Sequence, residues 1–259
     1  MKTIVLSLLT LLISSCLVAQ NDSLPSGVYN WSNVKAEKNK TGEKKDILKG
    51  ETLDLSGLQI HTSTLLPGLT NHPAVAYNDR EELVIIKEGS LTLTINDTSK
   101  ILEKGGLALI VAGDKQNCIN NSSKPVTYYV ISFHAKDAVN IQRGKIGGGS
   151  FMKNWDELTM KKTDRGESRP VFDRPSSMFV RFDVHATALN AGFNSHLPHT
   201  HRAEEIILLI KGSGEEQIGQ DLHKATEGDV IFLEANVLHA FKNTSSQPCG
   251  YYAIQWHTN

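Results

Sequence analysis

The sequence lacks a run of about 20 apolar residues, the length a membrane-spanning helix requires. Its longest such stretch, Thr3 to Ile13, is too short to cross a bilayer. Cysteine is scarce: Cys16, Cys118 and Cys249 are the only three, too few for a disulfide framework, and the last two read as separate buried thiols. Neither sign of charge dominates. With 27 basic and 28 acidic residues the net charge is -1, and no basic stripe exists to attract nucleic acid. No Ser-His-Asp order, phosphate-binding loop, CxxC pair or paired-carboxylate signal occurs. What remains is a chain of 259 residues with the 39% hydrophobic content of an ordinary globular protein, long enough for one or two domains.

Met1-Lys2 followed by the apolar Thr3–Ile13 run reads as an export signal. Two cleavage readings stand side by side. Ile13-Ser14-Ser15-Cys16 resembles a bacterial lipobox, which would make Cys16 a lipid-anchored first residue after a signal of residues 1–15. Ordinary cleavage near Ala19-Gln20 would instead remove residues 1–19. Either way the expected location is outside the cytoplasm, periplasmic or lipid-anchored, with no transmembrane helix.

The chain repeats itself. Ser122 to His134 and Ser245 to His257 align without a gap and share seven of thirteen residues. The same offset of 123 positions relates Glu82 to Glu205, Gly89 to Gly212, Gly105 to Gly228 and Asn120 to Asn243. One offset kept over so many separated positions indicates two copies of one domain. Each copy reads as β. Glu82 to Ile95 alternates apolar and polar residues around a Gly89-Ser90 turn, and Ile206 to Ile218 forms the matching hairpin around Gly212 to Gly214. Val230 to Leu233 is a short apolar strand after the Gly228-Asp229 turn. Short strands with regular turn signals predict a sandwich or barrel. Gly147 to Gly149 and the charged stretch Lys161 to Arg169 mark the linker, within which Lys153 to Met160 could form a short helix.

The second copy carries metal-ligand chemistry. His199 and His201 are two apart, so on a strand both imidazoles would face the barrel interior. Glu205 follows four residues later and His239 lies beyond the Gly228 turn. Three imidazoles and one carboxylate suit Mn, Fe, Co, Ni or Zn, with open positions for a small-molecule substrate. Glu205 is also the candidate general base. In the first copy the matching positions are Ala76, Asn78, Glu82 and Gln116, which cannot hold a transition metal; that copy is read as structural or as a metal-free pocket.

These segments resemble the cupin superfamily. Gly192…His199-Thr200-His201…Glu205, then Gly212, looks like its first motif, and Gly228…His239…Asn243 like its second. Glu234 and Asn236 stand where that second motif usually has proline and glycine. The resemblance implies an all-β chain of two tandem cupin barrels, of the double-stranded β-helix or jelly-roll type. The expected bounds are an extension at 20–50, a metal-free first cupin at 51–135, a linker at 136–175 and a metal-binding second cupin at 176–259. The architecture is similar to ureidoglycine aminohydrolase-type bicupins, and the ligand set resembles that of quercetinase-like dioxygenases.

Three further residues are candidate substrate contacts. Arg181 and His185 share a phase on a strand entering the second barrel, and Arg181 could clamp a carboxylate. Gln217 follows the Gly212 turn and could face the metal. His196 reads as a solvated loop histidine. The expected function is an exported metal-dependent enzyme for a small oxygen-rich molecule such as a sugar acid, hydroxy-carbonyl or ureido acid, acting by Lewis-acid isomerase, lyase or hydrolase chemistry. The alternatives are an Fe-dependent dioxygenase and a non-catalytic sugar- or metal-binding protein. Two barrels can pair within one chain, and homo-oligomerisation beyond that is left open.

Overall fold

The computed structural model describes residues 23–258. The expected export signal and Cys16 lie outside these residues. Among those described, no helix is long and apolar enough to cross a membrane. Cys118 and Cys249 are buried free thiols, one in each barrel, as the sequence suggests.

The chain is two β-barrels, each a seven-stranded sheet packed against a smaller one. In the first barrel, Glu81–Glu88, Val126–Ala135 and Leu55–Leu65 lie in the centre of the large sheet. The small sheet holds Ser90–Ile95, Lys115–Ile119 and Thr98–Glu103. The second barrel repeats this with Glu204–Lys211, Cys249–His257 and Arg181–Leu189 opposite Ser213–Ile218, His239–Lys242 and Asp221–Thr226.

The strand Glu204–Lys211 explains how the site is aimed. Its first six residues are all buried because both faces of the strand are covered. Ile206 and Leu208 enter a core shared by the two barrels, whereas Ile207 and Leu209 enter the interior of the second barrel. Successive side chains on a strand point to opposite faces. Glu204 therefore faces the shared core and Glu205 the barrel interior. Glu81 and Glu82 divide in the same way on the first barrel's strand.

The shared core is held by paired devices related by the repeat. Phe133, Phe179, Phe182 and Trp256 meet there, with Phe133 and Phe182 centroids 5.3 Å apart, edge to face. Each such ring contributes about 1.5–3 kcal/mol on burial. The Tyr129 hydroxyl donates to the Gly228 carbonyl at 2.8 Å, and the Tyr252 hydroxyl donates to the Gly105 carbonyl at 2.7 Å. Glu204 accepts from the Thr52 hydroxyl at 2.6 Å and the Leu53 N–H at 3.0 Å, while Glu81 accepts from the Ser177 N–H.

The domain bounds differ from the sequence reading. Of the expected extension, the described residues 23–50 are not an appendage: Gly42–Gly50 pairs along Leu55–Leu65 in the first barrel, and Gly27–Tyr29 crosses to pair with Val230–Leu233 of the second. Residues 136–175 are no simple linker either. Phe151–Lys153 pairs with Leu107–Ile110 of the first barrel, and Gly166–Arg174 lines Arg181–Leu189 of the second. The barrels thus exchange short arms. Gly42–Gly50 and Gly166–Arg174 are rich in charged residues and carry little apolar alternation, which is why they read as connecting segments. The only α-helix among the described residues is Ile141–Ile146, whereas the expected helix at 153–160 is a single 3₁₀ turn, Trp155–Glu157.

Candidate metal centre

His199 and His201 do not lie on a strand. They sit in the segment joining Arg181–Leu189 to Glu204–Lys211, where Pro198 removes one N–H from any ladder. The segment is pinned instead against His239–Lys242. His199 and His239 exchange backbone hydrogen bonds of 3.2 and 3.0 Å, and the Ser195 N–H donates to the Phe241 carbonyl at 2.8 Å. The Asn236 N–H donates to the His201 carbonyl at 2.7 Å. Asn236 has φ 63, a left-handed conformation that asparagine tolerates better than most residues. The matching residue of the first barrel, Gly113, has φ 90. The departure from glycine at position 236 therefore keeps the turn.

The structure brings His199, His201, Glu205 and His239 together. Ring centroids are 5.2 Å apart for His199–His201, 4.7 Å for His199–His239 and 4.8 Å for His201–His239. Glu205 Oε2 lies 3.2 Å from His201 Nε2 and 3.4 Å from His239 Nε2. Glu205 and His239 are 4% and 1% exposed, so water cannot solvate either freely.

Tautomers follow from the outer contacts. His201 Nδ1 is 2.9 Å from the Ala203 carbonyl, and His239 Nδ1 is 3.0 Å from the Val237 carbonyl. A carbonyl only accepts, so each Nδ1 carries the proton and each Nε2 turns a lone pair inward. His239 Nε2 is buried without a hydrogen-bond partner. Two lone pairs and a carboxylate oxygen facing one another need a cation between them, and without one a proton must take its place. A divalent transition metal fits this donor set, with second contacts already orienting the rings.

The charges agree. Burial alone would push Glu205 up, but the hydrogen bond with His201 and the closeness of the His239 ring hold it down to about 2. His201 is raised by its hydrogen bond to Glu205. His199 is lowered by burial and by the neighbouring His239 and His201. In the metal-free protein this keeps Glu205 ionised at neutral pH, the form a metal ligand needs.

His196, expected in solvent, joins the cluster. Its ring meets His199 edge-on at 4.1 Å, and the ligand atoms of His196, His199 and His239 lie within 4.8 Å of one another. Its Nδ1 is 3.0 Å from the Leu197 carbonyl, which leaves Nε2 as an acceptor. Burial lowers its affinity for a proton. Nothing periodic in the sequence marks it, because it sits in the irregular segment before Pro198.

The other expected contacts divide. His185 lines a cavity of about 380 Å³ beside the cluster, together with Thr187, Ser195, His196, Tyr251 and Arg165. Arg181 does not reach it: its side chain is half-exposed and grips Asp173 in two hydrogen bonds of 2.7 and 2.8 Å, so the fork is already engaged. Gln217 turns away and donates to the Gly219 carbonyl at 3.0 Å. Its neighbour Glu216 points inward instead, fully buried, with neither oxygen hydrogen-bonded. Burial, and then the charge of Glu205, raises Glu216 well above the ordinary range; the Ala240 N–H pulls the other way without making a hydrogen bond.

The first barrel is built differently. Glu82 occupies the place of Glu205, but protein donors surround it: Arg80 Nε at 3.0 Å, Ser132 Oγ at 3.2 Å and Gln116 Nε2. The Glu82 oxygens are already taken up by these donors.

Residues 187–255 match the cupin domain family. No curated protein sequence matches the chain significantly. Among solved structures, it is similar to protein Ylba from E. coli, with a TM-score of 0.68, 13% identity and coverage of 94% of both chains. It is also similar to a mutant of Bacillus subtilis oxalate decarboxylase OxdC, with a TM-score of 0.68, 12% identity, and coverage of 91% of this chain and 78% of that one. A third likeness is to AerE from Microcystis aeruginosa, with a TM-score of 0.65, 17% identity, and coverage of 86% and 96%. The chain is a cupin-fold protein of the two-barrel kind, and its second barrel matches the cupin domain family directly.

Proposed function

We propose that the second barrel is a divalent-metal site acting on a small oxygen-rich molecule that enters through the His185 cavity. The supporting observation is the convergence of His201 Nε2, His239 Nε2 and Glu205 Oε2 on one point, with both rings fixed by carbonyls behind them. His199 would complete the donor set. When bound, the ion supplies Lewis acidity toward a substrate oxygen. The chain's own residues do the rest. Ala203 and Val237 hold the ligating imidazoles in one tautomer. His185, Thr187 and Tyr251 line the cavity and orient the substrate. His196, neutral and with a free Nε2, is placed to accept a proton from substrate beside the centre. The chemistry is isomerase, lyase or hydrolase chemistry on a sugar acid, hydroxy-carbonyl or ureido acid. The Met1–Ile13 pattern supports an exported protein drawing this substrate from outside the cytoplasm.

The test is a turnover screen of these acids with the metal-loaded protein, alongside His196→Gln and His239→Ala. His196→Gln should lower kcat by about 10²–10⁴-fold, the usual worth of a general base, while keeping its metal. His239→Ala should lose both. Metal loss in His196→Gln would make His196 a ligand rather than a base. Bound Fe with substrate-dependent oxygen uptake would replace this reading with dioxygenase chemistry.

A further inference from the structure

Among the described residues no cluster of metal-ligating groups forms in the first barrel, but the barrel keeps an interior cavity, of about 240 Å³. Arg80 lines it and has no counterpart in the second barrel, where the matching residue is Ala203. Its guanidinium lies 3.3 Å from the centre of the Tyr77 ring, and its Nε donates to Glu82 Oε1 at 3.0 Å. Stacking and hydrogen bond together fix the plane of the fork. Only Nε is engaged, so Nη1 and Nη2 keep their hydrogens for another acceptor. Glu82 thus takes its cationic partner from the chain itself, Arg80 on Oε1, while Gln116 holds Oε2.

The remaining lining is rich in donors: Lys44, His61, Ser63, Asn71 and His72. His61 Nδ1 is buried and has no hydrogen-bond partner. Burial, helped by the charge of Lys44, holds His61 down to about 4, so at neutral pH it is an uncharged hydrogen-bonding group. Lys44 is paired with Asp46 at 2.6 Å. Glu43 and Glu82 also line the cavity and offset the charges of Lys44 and Arg80, so a phosphate dianion is disfavoured and the open edge of the Arg80 fork, rather than net charge, is what can hold a monoanion. A planar fork selects a carboxylate. The ring of polar groups around it selects hydroxyls on the same molecule.

We propose that the first barrel is a second, metal-free binding site for a small hydroxylated carboxylate, whose carboxylate sits on the Nη1–Nη2 edge of Arg80. The site works independently of the metal centre. It makes the two barrels unlike partners: one recognises a carboxylate through a protein cation, the other is shaped for a metal ion.

The experiment is calorimetric titration of full-length, EDTA-treated protein at neutral pH with galacturonate, gluconate and glycolate, with galactose as the uncharged control. At least one acid should bind saturably at one site per chain, about tenfold or more tighter than galactose. Arg80→Lys keeps the charge but loses the fork and should weaken binding about tenfold; Arg80→Gln should abolish it. His239→Ala, which disables the other barrel, should change nothing, and this separates the two proposals. Should Arg80→Gln fold poorly, Tyr77→Leu removes the stacking surface and leaves the ion pair, and a several-fold loss is expected. Absence of saturable binding by all three acids, equal binding of galactose, or wild-type affinity in the folded Arg80→Gln or Tyr77→Leu protein overturns the proposal.

Discussion

Replacing Glu216 with leucine should stabilise the metal-free protein, although it removes a charged residue type from the candidate site. Glu216 is 0% exposed, and neither of its oxygens has a hydrogen-bond partner. The matched residue of the first barrel is Leu93, 1% exposed and packed in that barrel's interior. The repeat therefore shows that a leucine fits this position of the sheet. Burying an unpartnered polar group costs about 1–3 kcal/mol, and a buried leucine gains about 1.5–3 kcal/mol. Imperfect filling of the new shape offsets part of this. A net gain of about 1–3 kcal/mol at neutral pH follows, or roughly 2–4 °C in Tm for each kcal/mol in a chain of this size. The sign of the pH dependence is fixed by the raised pKa of Glu216 above its ordinary 4.5. Below that value both folded and unfolded chains hold the proton, and the ionisation penalty is absent. Above it the unfolded chain ionises while the folded one does not, so wild-type stability falls by about 1.4 kcal/mol per pH unit until the folded group titrates. Thermal melts of wild type and Glu216→Leu at pH 5 and pH 8, both with chelator, should show a gap that widens with pH. A variant less stable than wild type at both values, or a gap that narrows as pH rises, would refute the burial argument.

Two further perturbations probe the scaffold. Tyr129→Phe removes the hydroxyl that reaches the Gly228 carbonyl across the barrel interface at 2.8 Å, and should cost about 1–1.5 kcal/mol in urea denaturation. No loss would mean that this bridge does not hold the barrels together. Gly212→Ala combines a φ of 78 with a new Cβ 3.0 Å from the Cys249 Cβ, whereas Gly219→Ala has a φ of 61 but open space around it. The second should cost about 1–2 kcal/mol and the first clearly more; equal losses would show that backbone strain alone sets the cost.

Much of this architecture is legible in the sequence, for identifiable reasons. The 123-residue offset survives because both barrels need glycine at the same left-handed turns, Gly89 and Gly212 among them. Val230–Leu233 emerges at its true bounds because a fully buried strand is an unbroken apolar run. The arms Gly27–Tyr29 and Phe151–Lys153 do not emerge, since three residues carry no periodicity. Their pairing depends on the other barrel, which local sequence cannot report. The residues at the centre are readable by type and spacing, yet the reason assigned to His199 and His201 fails: Pro198 keeps them off a strand, and backbone bonds to His239 aim them instead. Gln217 is misplaced by a single residue, and on a strand one residue exchanges the two faces. The repeat contains the missing information. Leu91, Leu93 and Ile95 are the buried face of the first hairpin, and they match Gly214, Glu216 and Ile218. Arg80 goes unnoticed because it matches Ala203, outside any position where a ligand is expected.

The central claim is that three histidines and one glutamate of the second barrel hold a divalent ion while the first barrel holds none. Elemental analysis of the purified protein tests it most directly, on wild type, His199→Ala, His239→Ala and Gln116→Ala expressed without added metal. Loss of a ligand should be far costlier than the 10–100-fold in affinity typical of an outer contact. About one Mn, Fe, Co, Ni or Zn per chain is expected in wild type and in Gln116→Ala, and little in either histidine variant. Full metal content in both histidine variants, or none in wild type even after reconstitution, would contradict it.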